Sequence, residues 1–397
     1  MAITQTNTNT WLSQIENTKN DGLSRFVAQL QALGMPHKKQ EIWRYAPLEL
    51  LFEKIATSSL GSVKSAATAE DMTPFQEGEN NVFVPATVLA PSSFQRISLF
   101  SASPKEDVFL GADAPKPPKG GSEDGIQRAE PFEENTPSRK LNFNFLEGWQ
   151  QHHVVFNTKA DTDAVLKINL TATNGAGHVL VHLNVADTAK VQIDIVGQAL
   201  GAPVMVTIRA VQGNNSQLNV VSYVQDSPWF MLDLGNAING VSSDMKLHAL
   251  SLVRGNQYAA VVTNVRHNIG ESTSSQLVKA VLYDTATTEY NGAVYVAPDA
   301  QKTDSTQSNP NLVLSDTARA LSRPQLRIYA DDVKCAHGAT MGQLDPEPLF
   351  YLASRGFSHQ ECISIILAGF AEEILDQMSE PSFQKSLLAD AIRFLRA

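Results

Sequence analysis

The chain has 397 residues, 43% of them apolar, with a formal net charge of −10 and only two cysteines. The apolar fraction is ample for a core, yet no run of about eighteen apolar residues exists to cross a membrane as a helix. Two cysteines exclude a disulfide framework and any self-contained four-cysteine cluster or zinc site. The acidic balance argues against nucleic acid as the main partner and reads as solubility.

The length predicts two or three folding units, unless one elongated unit dominates. The first twenty residues carry neither the basic start nor the apolar stretch of a signal peptide, which predicts a cytoplasmic protein. Trp11, Ile15, Leu23, Phe26, Leu30 and Leu33 recur at helical spacing, and Gly34-Met35-Pro36 breaks the pattern. Leu48, Leu51 and Ile55 continue a second stripe, so residues 1–80 are expected to form a helical domain. Residues 81–150 read as a connecting segment whose proline- and glycine-rich part, 103–137, is a mobile loop.

From about Val154 to Tyr329 the pattern changes to short alternating runs. Val179-Val181-Leu183-Val185, Val191-Ile193-Ile195 and Val204-Val206-Ile208 are the clearest, with Gly213-Asn214-Asn215 and Gly255-Asn256 as punctuation. The runs outnumber those of a seven- to nine-stranded sandwich and lie at short spacing, which favours a solenoid. Sequence pattern alone leaves the two architectures open, and the turns are too irregular to yield a repeat length.

The tract from Pro324 to Phe370 concentrates the chemistry. Gln325 to Tyr329 alternates like a half-buried strand, and Asp331-Asp332-Val333-Lys334-Cys335-Ala336-His337-Gly338 follows as a polar elbow. If the backbone stays extended, Cys335 and His337 point to one side and offer a sulfur and a nitrogen ligand suited to iron or zinc. One C-x-H pair supplies at most half of a cluster's usual ligands, so further ligands have to come from a second chain or small molecules. Asp331 and Asp332 read as a solvated cap, Cys362 as a buried hydrophobe, His359 as surface and His267 as structural. His152 and His153 are adjacent on a strand and point to opposite faces, which opposes a joint site. Trp43 and Tyr45 read as packing anchors.

Helix punctuation closes the chain. Asp345-Pro346 is a cap-then-proline start, Arg355-Gly356 an end, and Ser358 with Glu361 a capping box. Cys362, Ile365, Ile366, Phe370 and Ile374 form the apolar stripe of the next helix. No G-x-x-x-x-G-K-[ST] loop, G-x-S-x-G elbow or H-E-x-x-H motif occurs. Asp187, Asp194 and Asp233 are scattered rather than paired, which disfavours the polysaccharide-active enzymes also built on β-helices.

The DDV-x-C-x-HGAT elbow, the LFYL-x-SRG run and the GF-x-EEI helix together resemble the C-terminal signature of the SufB/SufD family of iron–sulfur cluster assembly scaffolds. Arg266 to Gly270, Asn291-Gly292, Asp299 to Asp304 and Gln307 to Ser315 look like further landmarks. Glu41 to Leu48 is similar to a segment typical of the SufD branch. The resemblance implies a right-handed parallel β-helix core, taken as residues 151–340, flanked by N-terminal and C-terminal helical domains, the latter 341–397. It implies a non-catalytic scaffold that pairs with SufB through the β-helix, where a transient iron–sulfur cluster is built at an interface containing His337 first and Cys335 second. It also implies docking of the SufC ATPase by the C-terminal helices, with Phe350, Tyr351, Arg355, Gly356 and Phe357 as anchors, whereas Phe370 reads as core. Reduced flavin in the complex and self-pairing of the isolated chain belong to the same expectation. The rival within the family is a SufB-type scaffold holding the cluster itself; the sequence HGA and the low cysteine count oppose it.

Overall fold

The computed structural model describes residues 95–98, 138–146 and 149–396. The expected N-terminal helices, the proline-rich loop, Trp43 and Tyr45 lie outside the described residues. Among the described residues, sixteen strands alternate between two parallel sheets. One holds β1 (Gln95–Ser98), β3 (Trp149–Asn157), β5 (Ala176–Val185), β7 (Val204–Gln212), β9 (Trp229–Ile238), β11 (Tyr258–His267), β13 (Thr287–Val296) and β15 (Arg319–Ile328). The other holds β2 (Ser138–Phe145), β4 (Asp163–Ala172), β6 (Lys190–Gln198), β8 (Gln217–Gln225), β10 (Asp244–Val253), β12 (Thr273–Leu282), β14 (Asp304–Val313) and β16 (Lys334–Gly342). The architecture is a parallel β-solenoid of about seven turns followed by three helices.

Two sheets face each other across one apolar interior, lined by residues such as Leu166, Ile168, Val206, Ile208, Leu247 and Val261. Each coil is too thin to bury its own apolar face, so stacking supplies the core. The coil length drifts. Lys190 lies beside Asp163 and Gln217 beside Lys190, 27 residues apart each time, but Thr273 follows Asp244 by 29 and Asp304 follows Thr273 by 31.

One corner is the same in six successive coils. Asp161, Thr188, Asn215, Ser242, Glu271 and Lys302 all take a left-handed backbone, with φ between 52° and 63°. Such a residue reverses the chain tightly, and its N–H turns toward the next coil. Thr188, Asn215, Ser242, Glu271 and Lys302 each donate to a carbonyl one coil above, as in Asn215 N–H to Val241 O at 2.8 Å. Six different residue types share one conformation, which hides the repeat from the sequence.

Three helices follow, α1 (Pro346–Ser354), α2 (His359–Leu375) and α3 (Pro381–Arg396), and the last two cover part of the outer face of the even-strand sheet. Asp345 caps α1 by accepting from Glu347 N–H at 3.0 Å, and Ser358 with Glu361 makes the expected capping box on α2. Leu367, Ala371, Ile374 and Leu375 of α2 and Leu387, Ala391 and Phe394 of α3 pack on Val221, Tyr223, Leu250 and Leu252. Ile365, expected on the packing stripe, is instead exposed, while Leu367 is buried in α2. Lys279 of β12 fastens the joint: its ammonium donates to Phe370 O at 3.0 Å, pairs with Glu373, and lies 4.3 Å from the Phe370 ring. Helix α1 buries no residue at all. No helix among the described residues is long and apolar enough to cross a membrane.

Candidate functional site

The Cys335–His337 tract is not an elbow leading directly to a helix; it is a further strand, β16, and the last rung of the solenoid. A corner places it. Lys302 N–H donates to Asp332 O at 2.5 Å, Gln301 Oε1 accepts from Asp332 N–H at 2.8 Å, and Lys334 N–H reaches Thr303 O at 2.8 Å. Asp331 and Asp332 sit exposed on that turn. From there β16 pairs, among the described residues, with β14 alone, Cys335 beside Ser305 and His337 beside Gln307.

Extended geometry settles the orientation. Ser305 and Gln307 are buried inward at 0% and 1% exposure, so Cys335 and His337 share the inward-facing row. Cys335 is half-buried against the core, and burial pushes its thiol above the usual range. The Asp304 carboxylate adds to this rise and the Ser305 backbone opposes it. His337 is exposed, and among the described residues no strand pairs with β16 on its other side.

The interior changes character beneath this rung. Reading up the stack, the row under Cys335 runs Ala164, Val191, Leu218, Met245, Ser274, Ser305. The row under His337 runs Leu166, Ile193, Val220, Leu247, Gln276, Gln307. Both are apolar for four rungs and polar for the next two. The polar part is knitted together: Ser274 and Ser305 hydroxyls meet at 2.8 Å, and Ser274 bonds His267 Nε2 at 2.9 Å. Gln276 Oε1 accepts from Thr263 at 2.6 Å and from Tyr290 at 3.0 Å. His267 is structural, held at both ring nitrogens, and burial pushes it down to about 4, so it stays neutral. Gly292 is required here, because a methyl group at its position would strike the Tyr290 hydroxyl and lie 2.6 Å from Gln307 Nε2.

Among the described residues, no group of three or more His, Cys, Asp or Glu side chains is arranged to hold a metal ion. The scattered acids have structural posts. Asp187 accepts from Asn214 N–H at 2.7 Å, Asp194 caps Ser379, and Asp233 pairs with Arg209. His359 is exposed, and Cys362 is buried with its thiol toward Phe357 O at 3.7 Å. His152 is buried beside Phe143, ring centroids 4.9 Å apart. Glu289, which sequence reasoning missed, is a buried carboxylate on the outer face of β13, accepting from Tyr258 OH at 2.9 Å and paired with Arg323.

The second cluster is apolar and exposed. Phe350 is 77% exposed, Tyr351 56% and Phe357 43%, and the Arg355 guanidinium lies 5.1 Å from the Tyr351 ring centroid. Gly356 takes φ of 93° at the end of α1, which turns the chain and brings Phe357 into the loop before α2. These large apolar groups lie in water on and beside a helix that buries no residue.

Residues 144–370 match the family profile described as SUF system FeS cluster assembly, SufBD core domain. The chain is 27% identical, over 95% of its own length and 94% of the relative's, to the Iron-sulfur cluster assembly protein SufD of Escherichia coli strain K12. It is 39% identical over 35% of its length, and 31% of the relative's, to an Iron-sulfur cluster assembly SufBD family protein of Synechocystis. With the SufD of Bacillus subtilis strain 168 it shares 31% identity over 34% of its length and 31% of the relative's. The profile spans the whole described solenoid above β2, including the Cys335–His337 rung, and the chain therefore belongs to the SufBD family, on its SufD side, with a role in Suf iron–sulfur cluster assembly.

Proposed function

We propose that the chain is a non-catalytic scaffold subunit that pairs, through the open end of its solenoid, with a SufB-type sibling in the cytoplasm. The observation that carries this reading is the unfinished last rung. Among the described residues, the strand of Cys335 and His337 is paired on one side only, and no ligand set large enough to hold iron alone is present. A four-ligand cluster then needs donors from a partner, and His337 is the exposed nitrogen that meets it. Cys335 acts as thiolate if it ligates, after losing a proton that burial holds on. Iron and sulfide are the cargo of this interface rather than a resident cofactor, and reduced flavin would enter with the complex.

The exposed aromatics of α1 and of the loop before α2 serve the SufC ATPase, with Phe350, Tyr351 and Phe357 as anchors and Arg355 stiffening Tyr351. Aromatic and arginine side chains dominate such contacts. ATP hydrolysis belongs to that partner. The test is co-purification with SufB and SufC followed by iron and sulfide determination. His337→Ala leaves the fold and SufC binding intact and lowers both contents; unchanged iron and sulfide in the variant complex would overturn the reading. A stable coloured cluster on the lone chain would favour a SufB-type scaffold instead.

A further inference from the structure

Strand β14 carries Pro310 between two hydrogen-bonded neighbours, a place where proline costs a ladder bond. The missing bond can be identified. Along β12 and its leading turn the even-numbered carbonyls accept from β14: Ser272 O takes Asp304 N–H at 3.1 Å, and Leu282 O takes Leu314 N–H at 2.9 Å. The same alternation assigns Val278 O to the N–H of residue 310, which proline lacks. The pairing breaks there, running to Leu277 beside Ser308 and resuming at Ala280 beside Asn311.

Asn309 fills the gap. Its side chain points inward, 2% exposed, and its Nδ2 donates to Val278 O at 2.7 Å. Asn311, two residues on, donates from Nδ2 to Asn309 Oδ1 at 3.0 Å and to Thr340 O of β16 at 3.2 Å. A side-chain relay thus links a carbonyl of β12 to a carbonyl of β16, in the inward layer that also holds Cys335 and His337.

We propose that Asn309 is a positioning residue for the Cys335–His337 strand: its amide replaces the backbone donor that Pro310 removes and so fixes the last coil on the body of the solenoid. The functional part of this statement rests on the reading of β16 as a ligand strand. The joint it describes does not. A continuous ladder would tie β14 down by backbone alone; here one side chain governs the seam directly beneath the site.

The test compares wild type, Asn309→Ala and Asn309→Ala/Pro310→Val as full chains, by amide hydrogen exchange and by iron content in the complex with SufB and SufC. Valine restores a backbone N–H, so the double variant no longer needs the asparagine. In Asn309→Ala, amides of residues 304–313 and 334–342 exchange roughly tenfold faster, as loss of one buried bond implies, while those of β4 to β8 keep their wild-type rates. Iron content falls with them, and the double variant recovers both. Exchange at β14 and β16 unchanged in Asn309→Ala, or not recovered in the double variant, overturns the proposal. Should the single variant fail to fold, the double variant decides alone: wild-type protection supports the proposal and lost protection refutes it. His337→Ala in the same complex separates the two ideas, since full iron there sinks the ligand-strand reading and leaves the exchange result to judge the joint.

Discussion

Replacing Gly292 by alanine tests whether the polar interior beneath the last rung is packed or loose. Gly292 faces inward on β13, and an added methyl meets the Tyr290 hydroxyl and the Gln307 amide. Tyr290 is 2% exposed, and its hydroxyl donates to Gln276 at 3.0 Å, so a displaced hydroxyl is left buried without that acceptor, while Gln276 keeps its bond from Thr263. Such an orphaned hydroxyl costs about 1–3 kcal/mol, and forcing a methyl into a filled site about 1–3 kcal/mol more. Against this, the stiffer unfolded chain returns roughly 0.5–1 kcal/mol. The net expectation is a loss of about 1–5 kcal/mol. Gly338 is the control, because a methyl group there has nothing within 4 Å, and its alanine variant stays within about 0.5 kcal/mol of wild type. Denaturant unfolding followed by circular dichroism reads both as midpoint shifts at constant slope. Equal midpoints for the two variants would mean that Tyr290 steps aside freely, and the argument for a rigid polar column would fail.

Three further outcomes are expected. Phe350→Asp with Tyr351→Asp leaves the unfolding midpoint within about 0.5 kcal/mol of wild type, since α1 buries nothing. The pair weakens SufC binding by at least ~30-fold, read by titration calorimetry. His152, buried and pushed down to about 4, binds its proton in the unfolded chain first, so acidification below pH 6.5 destabilises the fold until about pH 4. His152→Phe removes on the order of 3 kcal/mol from that acid loss, and a stability–pH curve parallel to wild type refutes the assignment. Ala339→Pro removes an N–H that points away from β14, because Lys334 N–H, of the opposite parity, is the kind that bonds β14. The chain folds as before, and pairing with the SufB-type partner falls in a pull-down; unaffected pairing shows that the free edge is not the contact.

Much of the fold was legible from alternation alone. The runs at Val179, Val191 and Val204 fall inside β5, β6 and β7, and the helix starts at Asp345 and Ser358 cap as their chemistry predicts. The repeat was not legible, for two reasons. Corner residues share a left-handed backbone but not a side-chain type, and coils lengthen from 27 to 31 residues toward the end that carries the site. At the site, the adjacency of Cys335 and His337 could be read from spacing. The rows beneath could not, because Ser274 and Gln276 come under Ser305 and Gln307 only through the 31-residue step. Asn309 and Pro310 stood in plain view, yet the role of the amide depends on which carbonyl lost its donor, and that is a matter of register.

The stacked rows also bear on why the proposed ligands, Cys335 and His337, stand at this end. A solenoid's stability is close to a sum of rung and neighbour terms, and the four apolar rungs from Ala164 and Leu166 to Met245 and Leu247 supply the burial. The two polar rungs above add little burial but much direction, because hydrogen bonds among Ser274, Ser305, Gln276 and Tyr290 have defined geometries where apolar contacts do not. The outer edges of β15 and β16, unpaired among the described residues, are also unlike. In β15 the odd-numbered N–H groups, such as those of Arg319 and Tyr329, bond toward β13, so the missing donor of Pro324 lies on the open side and blunts that edge without loosening the sheet. In β16 the N–H groups of Cys335, His337, Ala339 and Met341 face the open side, and no proline interrupts them. Among the described residues, then, the β15 edge lacks one donor for strand addition while the β16 edge keeps its full row, and it is the β16 strand that carries the sulfur and the imidazole.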